Sequence, residues 1–150
     1  MKFRTLTIEE LTSLKDEFVK FLVVNGIEAT QWQKMKSEDI IQSQQIINAF
    51  SDFIFERIIA KANYIDFFDG KSLKLFHCEP DQIHLINIEC EGYYPDLEDF
   101  LTRIDKNDSE IYMQSASKVY HPDRSIEIFR MIQNGGIISD GRWFRFFKNK

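Results

Sequence analysis

The sequence predicts an α+β fold: an N-terminal helical hairpin packed on a small, mainly antiparallel sheet, with two shorter helices in the C-terminal half. Three observations point there. Apolar residues recur at helical spacing up to about residue 62, and after Asn63 they give way to short β-prone runs punctuated by Gly, Pro and Asp. With 43% hydrophobic residues, including 14 Phe, 5 Tyr and 2 Trp, a chain of 150 residues has ample apolar surface to bury. Disorder as the dominant state is thereby excluded.

The first helix is expected over residues 8–25. Thr7 is a good N-cap, and Glu10 lies three residues later, the spacing of a reciprocal capping box. Leu11, Leu14, Phe18, Phe21, Leu22 and Val24 make one broad apolar face, and Asn25-Gly26 supplies a left-handed stop. Thr30 or Ser37 can cap the next helix, with Trp32 on a short turn between them. From Glu38 to about Ala62, Ile40, Ile47, Ile54 and Ile58 form a stripe that Ile46, Phe50 and Phe53 widen. No Gly or Pro interrupts this second helix, which at 1.5 Å per residue would be roughly 35 Å long.

Beyond Asn63, Tyr64 to Phe68 reads as a strand ending at the turn Asp69-Gly70. Leu73–Cys78 and Ile83–Cys90 are two more, joined by Glu79-Pro80-Asp81-Gln82. Pro95 can occupy the first turn of a helix running to about Ile104, with Asp96, Glu98 and Asp99 at its positive end. Residues 110–120 lean towards strand. A helix starting at Pro122 buries Ile126, Ile128, Phe129 and Ile132 and stops at Asn134-Gly135-Gly136. Ile137-Ile138, the turn Ser139-Asp140-Gly141 and Arg142 to Phe147 read as a terminal hairpin that buries Trp143. No linker or repeat divides the chain, so a single domain over 1–150 is expected.

The net charge of −5 is unevenly spread: −1 over residues 1–62, −7 over 63–109 and +3 over 110–150. An acidic whole argues against wholesale phosphate-backbone binding, while the basic end leaves a local footprint. No apolar run approaches the ~18–20 residues of a membrane span, and Met1-Lys2-Phe3-Arg4 does not open a signal peptide. Two cysteines suit a reducing cytoplasm, and Cys78 and Cys90 are expected unbridged and metal-free.

Several groupings invite chemistry. His77, Cys78, His84 and Cys90 are the one soft-ligand cluster, with Cys78 and His84 facing across the turn, but Cys90 lies too far away for a four-ligand zinc site. Asp105, Asn107 and Ser109 mimic the start of a calcium loop, yet Glu110 and Ala116 stand where Gly and Glu are needed. A triad of His121, Asp123 and Ser115 or Ser117 can be drawn, although three histidines among many serines supply such trios by chance. Tyr120-His121-Pro122-Asp123-Arg124 resembles the tripeptide loop of J-domain co-chaperones, but the long basic helix that precedes it there is missing. A helix start explains the same residues. Arg142-Trp143-Phe144-Arg145-Phe146-Phe147-Lys148 interleaves cations with aromatics, which could bind single-stranded nucleic acid by stacking and phosphate attraction. A closing strand whose arginines pair with the acidic middle explains them as well.

Scattered stretches carry a wider resemblance: Lys2-Phe3-Arg4-Thr5-Leu6-Thr7 with Glu10-Leu11, Phe18-Val19-Lys20-Phe21-Leu22, Asn25-Gly26-Ile27, Phe50-Ser51-Asp52, Phe76-His77-Cys78, Pro122-Asp123-Arg124, and Asn134-Gly135 with Ile138-Ser139-Asp140-Gly141. Together they resemble a family of small, uncharacterised bacterial proteins carrying a domain of unknown function. The resemblance implies a bacterial, cytoplasmic, single-domain protein and brings no activity, substrate or catalytic residue.

The leading expectation is therefore a non-enzymatic binding or interaction module, with a protein partner or a second copy of itself as its binder. Its working surface would join Tyr120–Arg124 to the Asn134–Gly141 loops, with His121, Asp123, Arg124, Asp140 and Arg142 as binding residues. No cofactor, metal or membrane is called for. The alternative is a weak single-stranded nucleic-acid binder using Arg142, Arg145, Lys148, Lys150 and Trp143, and the third reading is an enzyme around His121 and Asp123.

Overall fold

A computed structural model of the chain describes residues 1–106 and 111–150, with all side chains but those of Asp105 and Lys106. The calcium-type spacing at Asp105, Asn107 and Ser109 lies outside the described residues. The chain divides into two compact units, Met1–Ile58 and Ile59–Lys150. Among the described residues it has seven helices and one five-stranded antiparallel sheet.

The first unit is helical. Helix α1 (Ile8–Ser13) starts with the expected capping box between Thr7 and Glu10. Arg4 donates to both oxygens of Glu10 at 2.8 and 3.0 Å, and this pairing holds the pKa of the Glu10 carboxyl down to about 2. The single helix expected over 8–25 is broken at Leu14, where ψ is 20° and the N–H bonds back to both Glu10 and Leu11. That tightened turn separates α1 from α2 (Lys15–Val24). At the far end Gly26, with φ of 74°, lets the Ile27 N–H reach the Leu22 carbonyl at 2.9 Å, so the Asn25-Gly26 stop is a Schellman closure.

Trp32 corrects a second expectation: it lies on a full helix, α3 (Ala29–Glu38), and is buried there. The cap is Glu28, paired reciprocally with Gln31, and not Thr30 or Ser37. Helix α4 (Ile40–Ala60) begins at Asp39, whose side chain accepts from the Gln42 N–H at 3.1 Å. Phe50 is fully buried, with Phe18 and Phe21 ring-to-ring against it and Trp32 edge-on to Phe18. Ser51, also fully buried, accepts from the Leu6 N–H and donates to the Ile47 carbonyl, tying the N-terminal segment to α4.

The second unit carries β1 (Tyr64–Phe68), β2 (Ser72–Cys78), β3 (Gln82–Cys90), α5 (Leu97–Lys106), β4 (Ile111–Val119), α6 (Arg124–Gln133), β5 (Ile137–Ile138) and α7 (Arg142–Lys148). The sheet order is β4-β3-β2-β1-β5, which leaves β4 as an exposed edge. Directly paired residues point to the same side of a sheet. One face therefore carries the rows Phe68–Leu73–Ile88–Met113 and Asp66–Leu75–Ile86–Ser115. Leu73, Leu75, Ile86 and Ile88 of these rows form a core with Phe100 and Ile104 of α5 and Phe144 and Phe147 of α7.

Pro95 and Pro122 lie two residues ahead of the first helical residue instead of starting the helices, because Asp96 and Asp123 cap α5 and α6 with their own side chains. The expected terminal hairpin is wrong. Arg142 to Lys148 form α7, so the C-terminal half holds three helices instead of two. Asp140 accepts from the Arg142 N–H at 3.0 Å and opens a helix where a hairpin turn is expected. Gly141 at φ 79° permits this, and a Cβ there would come within 2.5 Å of the Tyr64 ring. Phe144 and Phe147, three apart, share the buried side of α7. Trp143 is only half-buried, contrary to expectation, and Ile137 and Ile138 are exposed.

Candidate functional site

The next row along the core face is different in kind. Tyr64, His77, His84 and Ser117 stand side by side across four strands, at the open end of α7. A two-residue connection sets this register. Residues 79 and 82 flank the turn, with the Glu79 N–H donating to the Gln82 carbonyl at 3.0 Å, so His77 falls opposite His84 and Cys78 opposite Ile83. The expected facing of Cys78 and His84 is thus off by one residue.

At one end of the row His84 joins Ser117 to Glu79 by hydrogen bonds. Glu79 turns back so that its Oε2 lies 3.1 Å from Nε2 of His84, and its Oε1 lies 3.9 Å from Nδ1 of His77. The other nitrogen of His84, Nδ1, is 2.6 Å from Oγ of Ser117. A carboxylate can only accept, so in neutral His84 the proton belongs on Nε2, and Nδ1 is left to accept the Ser117 hydroxyl. Contact with His84 holds the Glu79 carboxyl below its ordinary range.

His77 is packed in aromatics, stacked on Tyr64 at 4.6 Å and edge-on to Phe144 at 5.4 Å. Burial lowers its pKa, and His84, Lys148 and Arg145 press it further down against the pull of Glu79. Arg145 lies over the Tyr64 ring at 5.4 Å. Beside the row opens a groove of about 410 Å³, its apolar side made by Ile86, Met113, Phe144 and Phe147 and its polar side by His77, His84, Ser117, Lys148 and Lys150.

The residues favoured from sequence lie elsewhere. Asp123 caps α6, its Oδ1 accepting from the Ile126 N–H. Arg124 donates to four backbone carbonyls, those of Ile59, Ala62, Cys78 and Glu79, at 2.8 to 3.3 Å. The exposed His121, in cis linkage to Pro122, donates its backbone N–H to Glu127. Tyr120 donates to the Glu79 carbonyl at 2.6 Å, and burial pushes the pKa of its hydroxyl up to about 12. Asp140 and Arg142 pair with each other at 3.6 Å on the surface, so Arg142 has a local partner in place of the expected acidic middle. None of His121, Asp123, Arg124, Asp140 and Arg142 lines the groove.

Cys78 is buried, its thiol pKa pushed up to about 11, and Cys90 stands opposite Ile111 at the other end of β3; neither is in a disulfide. Among the described residues no group of three or more His, Cys, Asp or Glu is arranged to hold a metal ion. No helix among them is long and apolar enough to cross a membrane.

A family model matches the chain over residues 1–150. The chain belongs to a family of unknown function, DUF6495. No curated protein and no solved structure matches it. The family thus accounts for the scattered resemblance read from sequence and leaves the chemistry to the site itself.

Proposed function

We propose that this DUF6495 chain is a binding module for a small anion carrying an apolar body, held in the groove beside α7. The reading rests on one observation: Lys148, Lys150, His77 and His84 border a single groove whose other side is Ile86, Met113, Phe144 and Phe147. A volume of about 410 Å³ lies within the range of small-molecule sites, which pair an apolar lining with a few convergent polar groups. Glu79 is the acid that lines the groove, and its carboxylate already faces the two histidines. The bacterial, cytoplasmic setting implied by the resemblance, and self-association as a homodimer, belong to the same proposal. The nucleic-acid reading is less favoured, because two of its cations are engaged within the chain, Arg142 with Asp140 and Arg145 over the Tyr64 ring.

Histidine ring signals followed by NMR during titration with phenyl phosphate test the proposal. Saturable shifts of the His77 and His84 signals are expected, weakened at least about tenfold in affinity when Lys148 and Lys150 are both replaced by Glu. Signals that stay unmoved, or that move equally in the double variant, would overturn it. A single-stranded oligonucleotide that binds where phenyl phosphate does not would put the nucleic-acid reading in its place.

A further inference from the structure

The polar row holds more order than anion binding requires. Ser117 Oγ, His84 and Glu79 form a chain in which each group is within hydrogen-bond reach of the next, at 2.6 and 3.1 Å. Structural networks of this kind usually satisfy polar atoms that water cannot reach. Here water can reach all three: Ser117 is exposed, and the side chains of His84 and Glu79 are 28% and 39% exposed. The chain therefore relieves no buried group. Its chemical effect is different: the carboxylate fixes the Nε2–H tautomer of His84, which directs the Ser117 proton onto a basic nitrogen. Ser115 lies one row inward, opposite Ile86, and Ser117 is the hydroxyl that meets the imidazole.

We infer that Ser117 is the nucleophile of an acyl-transfer centre, with His84 as its general base, acting on carboxylic esters that carry an anionic end. This rests on the groove being the ligand site, with Lys148 and Lys150 taking the anionic end and Phe144 and Phe147 the apolar body. Ser117 Oγ forms a bond to the ester carbonyl carbon while its proton passes to Nδ1 of His84. Glu79, accepting from Nε2–H, is a positioning residue that stabilises the imidazolium. The tetrahedral adduct collapses as the ester C–O bond breaks. The departing alkoxide oxygen takes the proton from Nδ1, leaving an acyl-serine. Water, deprotonated by Nδ1 of His84, then attacks the acyl carbon; the bond from that carbon to Ser117 Oγ breaks, Oγ takes the proton back from Nδ1, and the carboxylic acid leaves. No oxidant, reductant or metal enters this balance. Sequence pairing of His121 with Asp123 could not have found the centre, since its three members come from β3, β4 and the β2–β3 turn.

The test uses the full chain, a fluorophosphonate probe and the 4-nitrophenyl monoester of succinic acid, with thermal melts confirming that each variant is folded. We expect a stoichiometric adduct on the Ser117 peptide, absent in Ser117→Ala, and nitrophenolate release that His84→Gln slows by about 10²–10⁴-fold. The neutral 4-nitrophenyl acetate should react more slowly than the anionic ester, and the difference should vanish when Lys148 and Lys150 are both changed to Glu. No adduct on Ser117, or the same rate in His84→Gln, overturns the inference. If phenyl phosphate still binds the wild-type chain in that case, the acyl-transfer centre fails alone; if it does not, the groove reading fails with it.

Discussion

Compare the Tyr120–Arg124 turn with the His77–His84–Ser117 row. Both gather histidine, acid and hydroxyl groups in the second unit. In the turn they are committed to backbone: Asp123 caps a helix, Arg124 binds four carbonyls, Tyr120 shares one of these at Glu79, and the His121 N–H goes to Glu127. In the row the side chains meet one another, through Ser117, His84 and Glu79, beside an open groove. Residues adjacent in sequence at a helix start have local N–H and C=O groups to satisfy, and they do so first. Residues assembled by strand register carry less of this duty, because the ladder already pairs much of the backbone. Richness in functional side chains favours the turn, whereas side chains left free to act on one another favour the row.

The largest break in this comparison is expected from Phe144→Ala. Phe144 is 4% exposed and lies edge-on to His77, so it serves both the core and the wall of the row. Denaturant melts should show a loss of about 3–5 kcal/mol, the usual cost of deleting a large buried aromatic. Phe146→Ala, on the exposed side of the same helix, should cost less than about 1 kcal/mol. Equal losses would mean that α7 does not present Phe144 inward.

Arg124→Ala comes next. It leaves carbonyls at the end of α4 and the β2–β3 turn without their charged donor, at an expected cost of about 2–4 kcal/mol in the same melts. Arg124→Lys should recover only part of this, since one ammonium cannot reproduce a planar fork of donors. Phenyl phosphate affinity of the folded variant should stay within about twofold of wild type. A variant that melts normally but no longer binds would return Arg124 to the role read from sequence.

Asp123→Ala removes one N-cap and should cost about 1 kcal/mol, with Asp123→Asn restoring most of it because the amide oxygen can accept the same N–H. A catalytic or ligand-binding aspartate would not be restored by Asn.

Much of the fold is legible in the sequence because its signals are local. The Thr7–Glu10 box, the Asn25-Gly26 stop and the strands at Tyr64, Leu73 and Ile83 follow from residues a few positions apart. Helix α3 escapes sequence reading because its cap is Glu28, a residue type seldom used there, while Thr30 and Ser37 nearby look better. Helix α7 is misread because Asp140-Gly141 serves equally as a hairpin turn and as a helix start. The deciding sign is the three-residue spacing of Phe144 and Phe147, against the alternation a strand needs. The site is only half legible. A two-residue connection between Glu79 and Gln82 puts His77 opposite His84 by counting alone. Pairing His84 with Ser117 joins strands that a helix and its flanking loops separate, and no turn in the sequence fixes that register.

The smallest effect on stability, and the sharpest on the comparison, is expected from Glu79→Gln. The side chain is 39% exposed and leaves no buried partner behind, so the melting temperature should fall only slightly. Its depressed pKa has the sign of a group whose favourable contact exists in the folded state above the ordinary carboxylate range. That contact is lost as pH falls and the carboxyl protonates. The same loss should be visible at neutral pH in the variant, because an amide can offer His84 either an oxygen or an N–H. Nitrogen chemical shifts of the His84 ring report which nitrogen carries the proton. Wild type should show the Nε2–H form, whereas Glu79→Gln should show a mixture with Nδ1–H, and His121 should not change in either. With the proton partly on Nδ1, Ser117 loses its acceptor in part of the population, and probe labelling should slow in proportion. If His84 keeps a single Nε2–H form without the carboxylate, Glu79 does not position it, and the row resembles the turn more than its geometry suggests.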